Sequence, residues 1–98
     1  MKIGETLRRL RKRKGLSQQT VAEGANVSRT HLSLIESGEC NPTIETLDSI
    51  GKVLNIPFPI LSFLSLDINS IPEHKREDFL EMEPTIMAMI EDFFLKES

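Results

Sequence analysis

The 98 residues, 39% of them hydrophobic with no Trp or Tyr, make one domain with a small appendage, built around a Leu, Ile and Val core. One cysteine, Cys40, excludes an internal disulfide and fits a reducing cytoplasm; no ligand-spaced His/Cys set points to a metal site or other cofactor. The net charge of −3 argues at first against a nucleic-acid partner, but it is unevenly distributed. Residues 1–31 carry eight bases (Lys2, Arg8, Arg9, Arg11, Lys12, Arg13, Lys14, Arg29) against Glu5 and Glu23, a net of +6. Residues 66–98 carry three bases against nine acids, a net of −6, so a polyanion is drawn to one end and repelled by the other. Nothing resembles a signal peptide, and no apolar run approaches the roughly 18 residues of a membrane span, so no membrane partner and a cytoplasmic location are expected.

In chain order, Ile3, Leu7 and Leu10 recur at helical spacing and predict a first helix from Ile3 to Lys14, capped by Gly15. Ser17 is an N-cap for a second helix reaching about Gly24. Asn26 stands at a tight turn that needs positive φ, and Ser28 caps a third helix that runs to Ser37 and stops at Gly38. After the loop GECNP, Thr43 caps a fourth helix with Ile44, Leu47, Ile50, Val53 and Leu54 as its apolar stripe. Pro57 and Pro59 favour the first turn of a short fifth helix, with Leu61 and Leu64 inward. Ser70 with Glu73 predicts a capping box opening a further helix, which Pro84 either interrupts or kinks. From Pro84 to Lys96, Ile86, Ile90, Phe93 and Phe94 form an apolar stripe, widened by Met87 and Met89, that must be buried on its own domain, a second copy or another protein.

The stretch Gln18–Ile35 carries the most information. Val21, Ala25, Val27, Leu32 and Ile35 turn one face of two short helices toward a shared core, and Ala22 is small where those helices cross. Arg29, Thr30, His31 and Ser33, all able to hydrogen-bond, are left near the exposed start of the second of the pair. This is the layout of a helix-turn-helix that reads the DNA major groove. Base readout then falls to Arg29, Thr30 and Ser33, with His31 a further candidate: Arg29 offers two parallel hydrogen bonds to guanine, and Thr30 its methyl to thymine. Gln18 and Ser28 open helices, where free N–H groups attract phosphate. Leu34 either meets a thymine methyl or packs at the edge.

RRLRKRKGLSQ (8–18), VSRTHLSLIESG (27–38) and NPTIETLDSIGKVLNI (41–56) together resemble the Cro/repressor class of helix-turn-helix domains, the xenobiotic-response-element family, over about Ile3 to Leu64. That resemblance implies an all-α fold: a five-helix lambda-repressor-like domain over residues 1–66, followed by an acidic helical extension over 67–98. It also implies phosphate contacts from Gln18 and from Asn41, and an Arg11–Glu36 pair that braces helix 1 against helix 3 and can bring Arg11 near a phosphate. Glu39 stands where relatives often carry Lys. The rest of the basic run Arg8–Lys14 reads as a solvated face.

The function expected is therefore that of a sequence-specific transcriptional regulator. One recognition helix over residues 28–37 reads only a few base pairs, so a homodimer repressor on a palindromic operator of double-stranded DNA is the leading form. The alternative is a protein-interaction module whose C-terminal helices dock a protein partner, because Met-containing stripes suit adaptable surfaces. No paired nucleophile and base, Gly-rich phosphate loop or ligand cluster is present to support an enzyme.

Overall fold

Six α-helices follow one another in the computed structural model, which describes residues 3–96. They are α1 (Ile3–Arg13), α2 (Gln18–Gly24), α3 (Arg29–Ser37), α4 (Ile44–Leu54), α5 (Phe58–Leu64) and α6 (Arg76–Leu95), with single 3₁₀ turns at Ile68–Ser70 and Glu73–Lys75. Lys2 and Glu97, both counted in the charge split, lie outside the described residues. Among the described residues no strand occurs, and no single helix is long and apolar enough to cross a membrane.

Local chemistry sets the boundaries. Ser17, Ser28 and Thr43 each accept a hydrogen bond from the backbone N–H three residues on, as N-caps do. The α2–α3 turn passes through Asn26 at φ 58, and α3 ends on Gly38 at φ 86, a left-handed cap with its N–H on the Ile35 carbonyl. Helix α5 opens after Pro57 with Pro59 in its first turn, where neither needs an N–H.

Leu7, Leu10, Val21, Ala22, Leu32, Ile35, Ile50, Leu54, Leu61 and Leu64 are nearly or fully buried and form one core across α1–α5. Met87 of α6 belongs to the same core. Helix α1 lies so close to α3 that a Cβ added at Gly4 would collide with the carbonyl oxygens of Ile35 and Glu36. Glycine in helix α1 is thus dictated by the approach of another backbone.

Three expectations are corrected. Ile44 is 72% exposed: it occupies the first helical position of α4, one turn before Leu47, where that helix begins to meet the core. The Ser70–Glu73 capping box does not form. Pro72 holds Ile71 extended (φ −87, ψ 133), so no helix can begin at Ser70, whose hydroxyl instead donates to the Asp67 carbonyl at 2.8 Å. The chain enters α6 later, through the 3₁₀ turn at Glu73–Lys75, and α6 then continues through Pro84 as one helix. The single apolar stripe expected on α6 is also divided: Met87 is buried and Ile90 and Phe94 pack on the core, whereas Met89 and Phe93 are exposed.

Gly4→Ala should destabilise the fold by about 1–3 kcal/mol, because displacing two carbonyls outweighs the roughly 1 kcal/mol that alanine gains in helix propensity. The shift in urea midpoint measures it, and a midpoint that rises would show that α1 can move away from α3.

Candidate nucleic-acid interface

The starts of α2 and α3 lie side by side, because the tight turn at Asn26 folds α3 back across α2. Ser17 and Ser28 are the two N-caps, so each spends its oxygen on its own helix: Ser17 Oγ accepts from the Thr20 N–H at 3.0 Å and Ser28 Oγ from the His31 N–H at 2.9 Å. Between these helices and α1 runs an open groove of about 540 Å³ lined by Arg8, Arg11, Gln18, Arg29, Ser33 and Glu36 among others. A smaller hollow of about 200 Å³ shares Gln18, Arg29 and Ser33 and adds Thr30 and Leu34.

The floor of the groove is a polar triad of buried Arg11 and Glu36 with half-buried Gln18. Arg11 donates from Nε to Glu36 Oε2 at 2.7 Å and from Nη2 to Glu36 Oε1 at 3.0 Å, the fork geometry of a strong ion pair. Its Nη1 donates to the Leu16 carbonyl at 2.8 Å, and Gln18 Nε2 donates to Glu36 Oε1 at 3.0 Å. One carboxylate on α3 thereby holds α1 and the first residue of α2. The bond also orients the Gln18 amide: with Nε2 turned to Glu36, its Oε1 points away as an acceptor.

The remaining bases sort by helix face. Arg9 and Arg13, one turn apart on α1, face α6: Arg9 Nε donates to Glu91 Oε1 at 2.8 Å and Arg13 Nη2 to Asp92 Oδ1 at 2.9 Å. Glu91 is buried by this clamp. Arg8 lies three residues before Arg11 and so shares its side of the helix. The acidic tail thus neutralises one face of α1 while Arg8 and Arg29, both exposed, leave the groove positive.

Of the residues singled out in the sequence, the groove and its hollow unite Arg11, Gln18, Arg29, Thr30 and Ser33. Ser28 and His31 stand at the first turn of α3, joined by the cap bond, and Asn41 is exposed in the loop after α3, outside the groove lining. Leu34, 38% exposed, lines the hollow beside Thr30. The basic run, expected to be a solvated face, divides: Arg8 is exposed beside the groove, its i, i+3 relation to Arg11 being the available signal, whereas Arg9 and Arg13 are tied to α6. Sequence reasoning missed the buried Glu91, since an acid on an apolar helix face gives no hint of two arginines in another helix.

A family model described as Helix-turn-helix matches residues 7–61. The chain is 38% identical over 56 residues to an immunity repressor protein of Bacillus phage phi105, covering 57% of this chain and 39% of the relative. It is 41% identical over 56 residues to the HTH-type transcriptional regulator SutR of Escherichia coli (strain K12), covering 57% and 32% respectively. An ImmF control region 10 kDa protein of Bacillus phage phi105 is 33% identical over 67 residues, 68% of this chain and 74% of that protein. The first two matches thus span about two fifths and one third of those relatives' lengths.

Glu36→Ala removes the acceptor of both Arg11 and Gln18 and leaves a buried guanidinium uncompensated, which should cost about 3–5 kcal/mol by chemical denaturation. Replacing both partners, Arg11→Met with Glu36→Leu, should recover much of that loss, because the desolvation cost disappears with the charges.

Proposed function

Because the chain belongs to the Cro/repressor type of helix-turn-helix proteins, we propose that it is a sequence-specific transcriptional regulator, acting as a homodimeric repressor of a promoter that carries a palindromic operator. Its partner is double-stranded DNA, entered through the major groove by α3. The observation that carries this reading is the groove where Arg8, Gln18 and Arg29 surround the exposed first turns of α3. It is open and positively lined, as a site for a polyanion must be.

Arg29, Thr30 and Ser33 read base edges, with His31 at the rim. Arg29 has the fork that matches guanine O6 and N7, and the hollow beside Thr30 and Leu34 suits a thymine methyl. Gln18, Ser28 and Asn41 position the phosphate backbone, joined by Arg8. Arg11, its donors committed to Glu36 and Leu16, serves the backbone mainly as the brace beneath these contacts. Each α3 reads one half-site, and two-fold symmetry places the half-sites one helical turn, about 34–36 Å, apart. The other reading, a protein-interaction module, draws on the exposed apolar side chains of α6, and the same selection experiment separates the two.

Binding-site selection from a random duplex pool should enrich a two-fold symmetric motif. Arg29→Ala should relax one position of each half-site and cost about 1–3 kcal/mol per half-site. Arg8→Ala should weaken all sequences alike and reduce the slope of log K against log salt by about 1 per protomer. A pool without enrichment would overturn the regulator reading in favour of the interaction module.

A further inference from the structure

Helix α6 has an inward stripe, in which Met87, Ile90 and Phe94 pack on the core, and beside it a second stripe of Met82, Ile86, Met89 and Phe93. The second recurs at alternating intervals of four and three residues, the 3.5-residue period on which two helices stay in register. Met82, Met89 and Phe93 are 52%, 67% and 76% exposed, and Ile86 is half-buried at the stripe's inner edge.

We propose that this stripe is the two-fold interface between two copies of the chain, with their α6 helices antiparallel. The proposal rests on the dimeric reading above and identifies the surface and register that would produce it. The spacing is self-complementary: the pairs 82/93 and 86/89 share one midpoint, so antiparallel copies set Met82 against the partner's Phe93 and Ile86 against the partner's Met89. Each layer then joins unlike side chains, one of them a sulfur–aromatic contact.

Charge selects the same orientation. Asp78 and Lys96 are separated by about five helical turns and so lie along the same edge of the stripe. Antiparallel pairing brings Asp78 beside the partner's Lys96 at both ends of the interface. A parallel pair would set that edge against the apolar edge of Phe79 and Ile90 and leave both charges without a counterpart. The three most exposed side chains offer about 400 Å² of apolar surface per copy, the centre of an interface whose stable examples bury about 800 Å² per partner. The Phe93 ring meets Phe94 edge-on, centroids 5.0 Å apart and planes at 81°, which joins the exposed stripe to the inward one.

Sedimentation velocity of the full chain without DNA, over a concentration series, tests the interface. The chain should dimerise, and Met89→Asp should weaken dimerisation about 100-fold or more, since a charge enters a desolvated seam. Met89 is exposed within one copy, so an unchanged helical circular dichroism spectrum with a cooperative unfolding transition would show the variant folded. Phe93→Ser serves as a second variant if Met89→Asp does not fold. In a Cys40→Ser background, a short thiol cross-linker should join Met82→Cys chains to Phe93→Cys chains but not Met82→Cys chains to each other, whose sulfurs would lie about 16 Å apart along the axis. A dimer untouched by either variant, or like-to-like cross-links, would overturn this interface and leave the dimeric reading intact. A chain monomeric at every concentration, binding single half-sites without cooperativity, would overturn both.

Discussion

The Glu36 carboxylate is shared by Arg11 and Gln18, from two other helices, and the position of α3 follows from that sharing. Apolar packing alone would let α3 slide or roll against α1 and α2, because Leu32 and Ile35 offer greasy surface without direction. A bidentate guanidinium–carboxylate pair has a plane and a fixed length, so it supplies the angular information that packing lacks. The charges are buried together, which makes the pair costly to break and only modestly stabilising to have; its value is in specifying one arrangement. The close approach of Gly4 to the α3 backbone acts in the same sense, since contact between α1 and α3 is possible over only a narrow range of crossing geometries.

The first five helices were legible because their signals are local. Serine and threonine caps, a glycine stop, an asparagine in the turn and prolines opening α5 each act within a few residues, and each was found where expected. What the sequence hid lies in relations across the chain. The partners of Arg9 and Arg13 are about eighty residues away, and nothing near those two arginines in the sequence points to α6. Ile44 has the right spacing for the core but sits where α4 has not yet reached it. At Ser70 the capping-box residue types were present, and the intervening Pro72 overrode them through the backbone of Ile71. The groove residues on α2 and α3 were readable for the same reason as the helices: a short turn with caps at known places determines which side chains remain outside.

The formal charge conceals a division of labour within one helix. Helix α1 presents Arg11 to α3, Arg9 and Arg13 to α6, and Arg8 to the groove, so four arginines within six residues serve three different surroundings. The acidic tail is therefore not simply held away from an anionic ligand; part of it is spent neutralising the back of α1. Arg8 and Arg29 stay exposed on the side where α2 and α3 begin, which favours an anion there even though the molecule as a whole is acidic.

Pro84 gives α6 two halves of unequal cohesion. It can donate no backbone hydrogen bond to the turn before it, and the start of the helix at Arg76 has no side-chain cap. Beyond it, Met87 is buried and Glu91 and Asp92 are tied to α1. Before the proline only Phe79 packs on the core, whereas behind it Met87, Ile90, Phe94 and Leu95 do, so the first half has the lower local contact density, the mark of a segment that opens more easily. The proline thus stands at the boundary between a lightly moored entry to α6 and the part of the helix that is tied to α1 and the core.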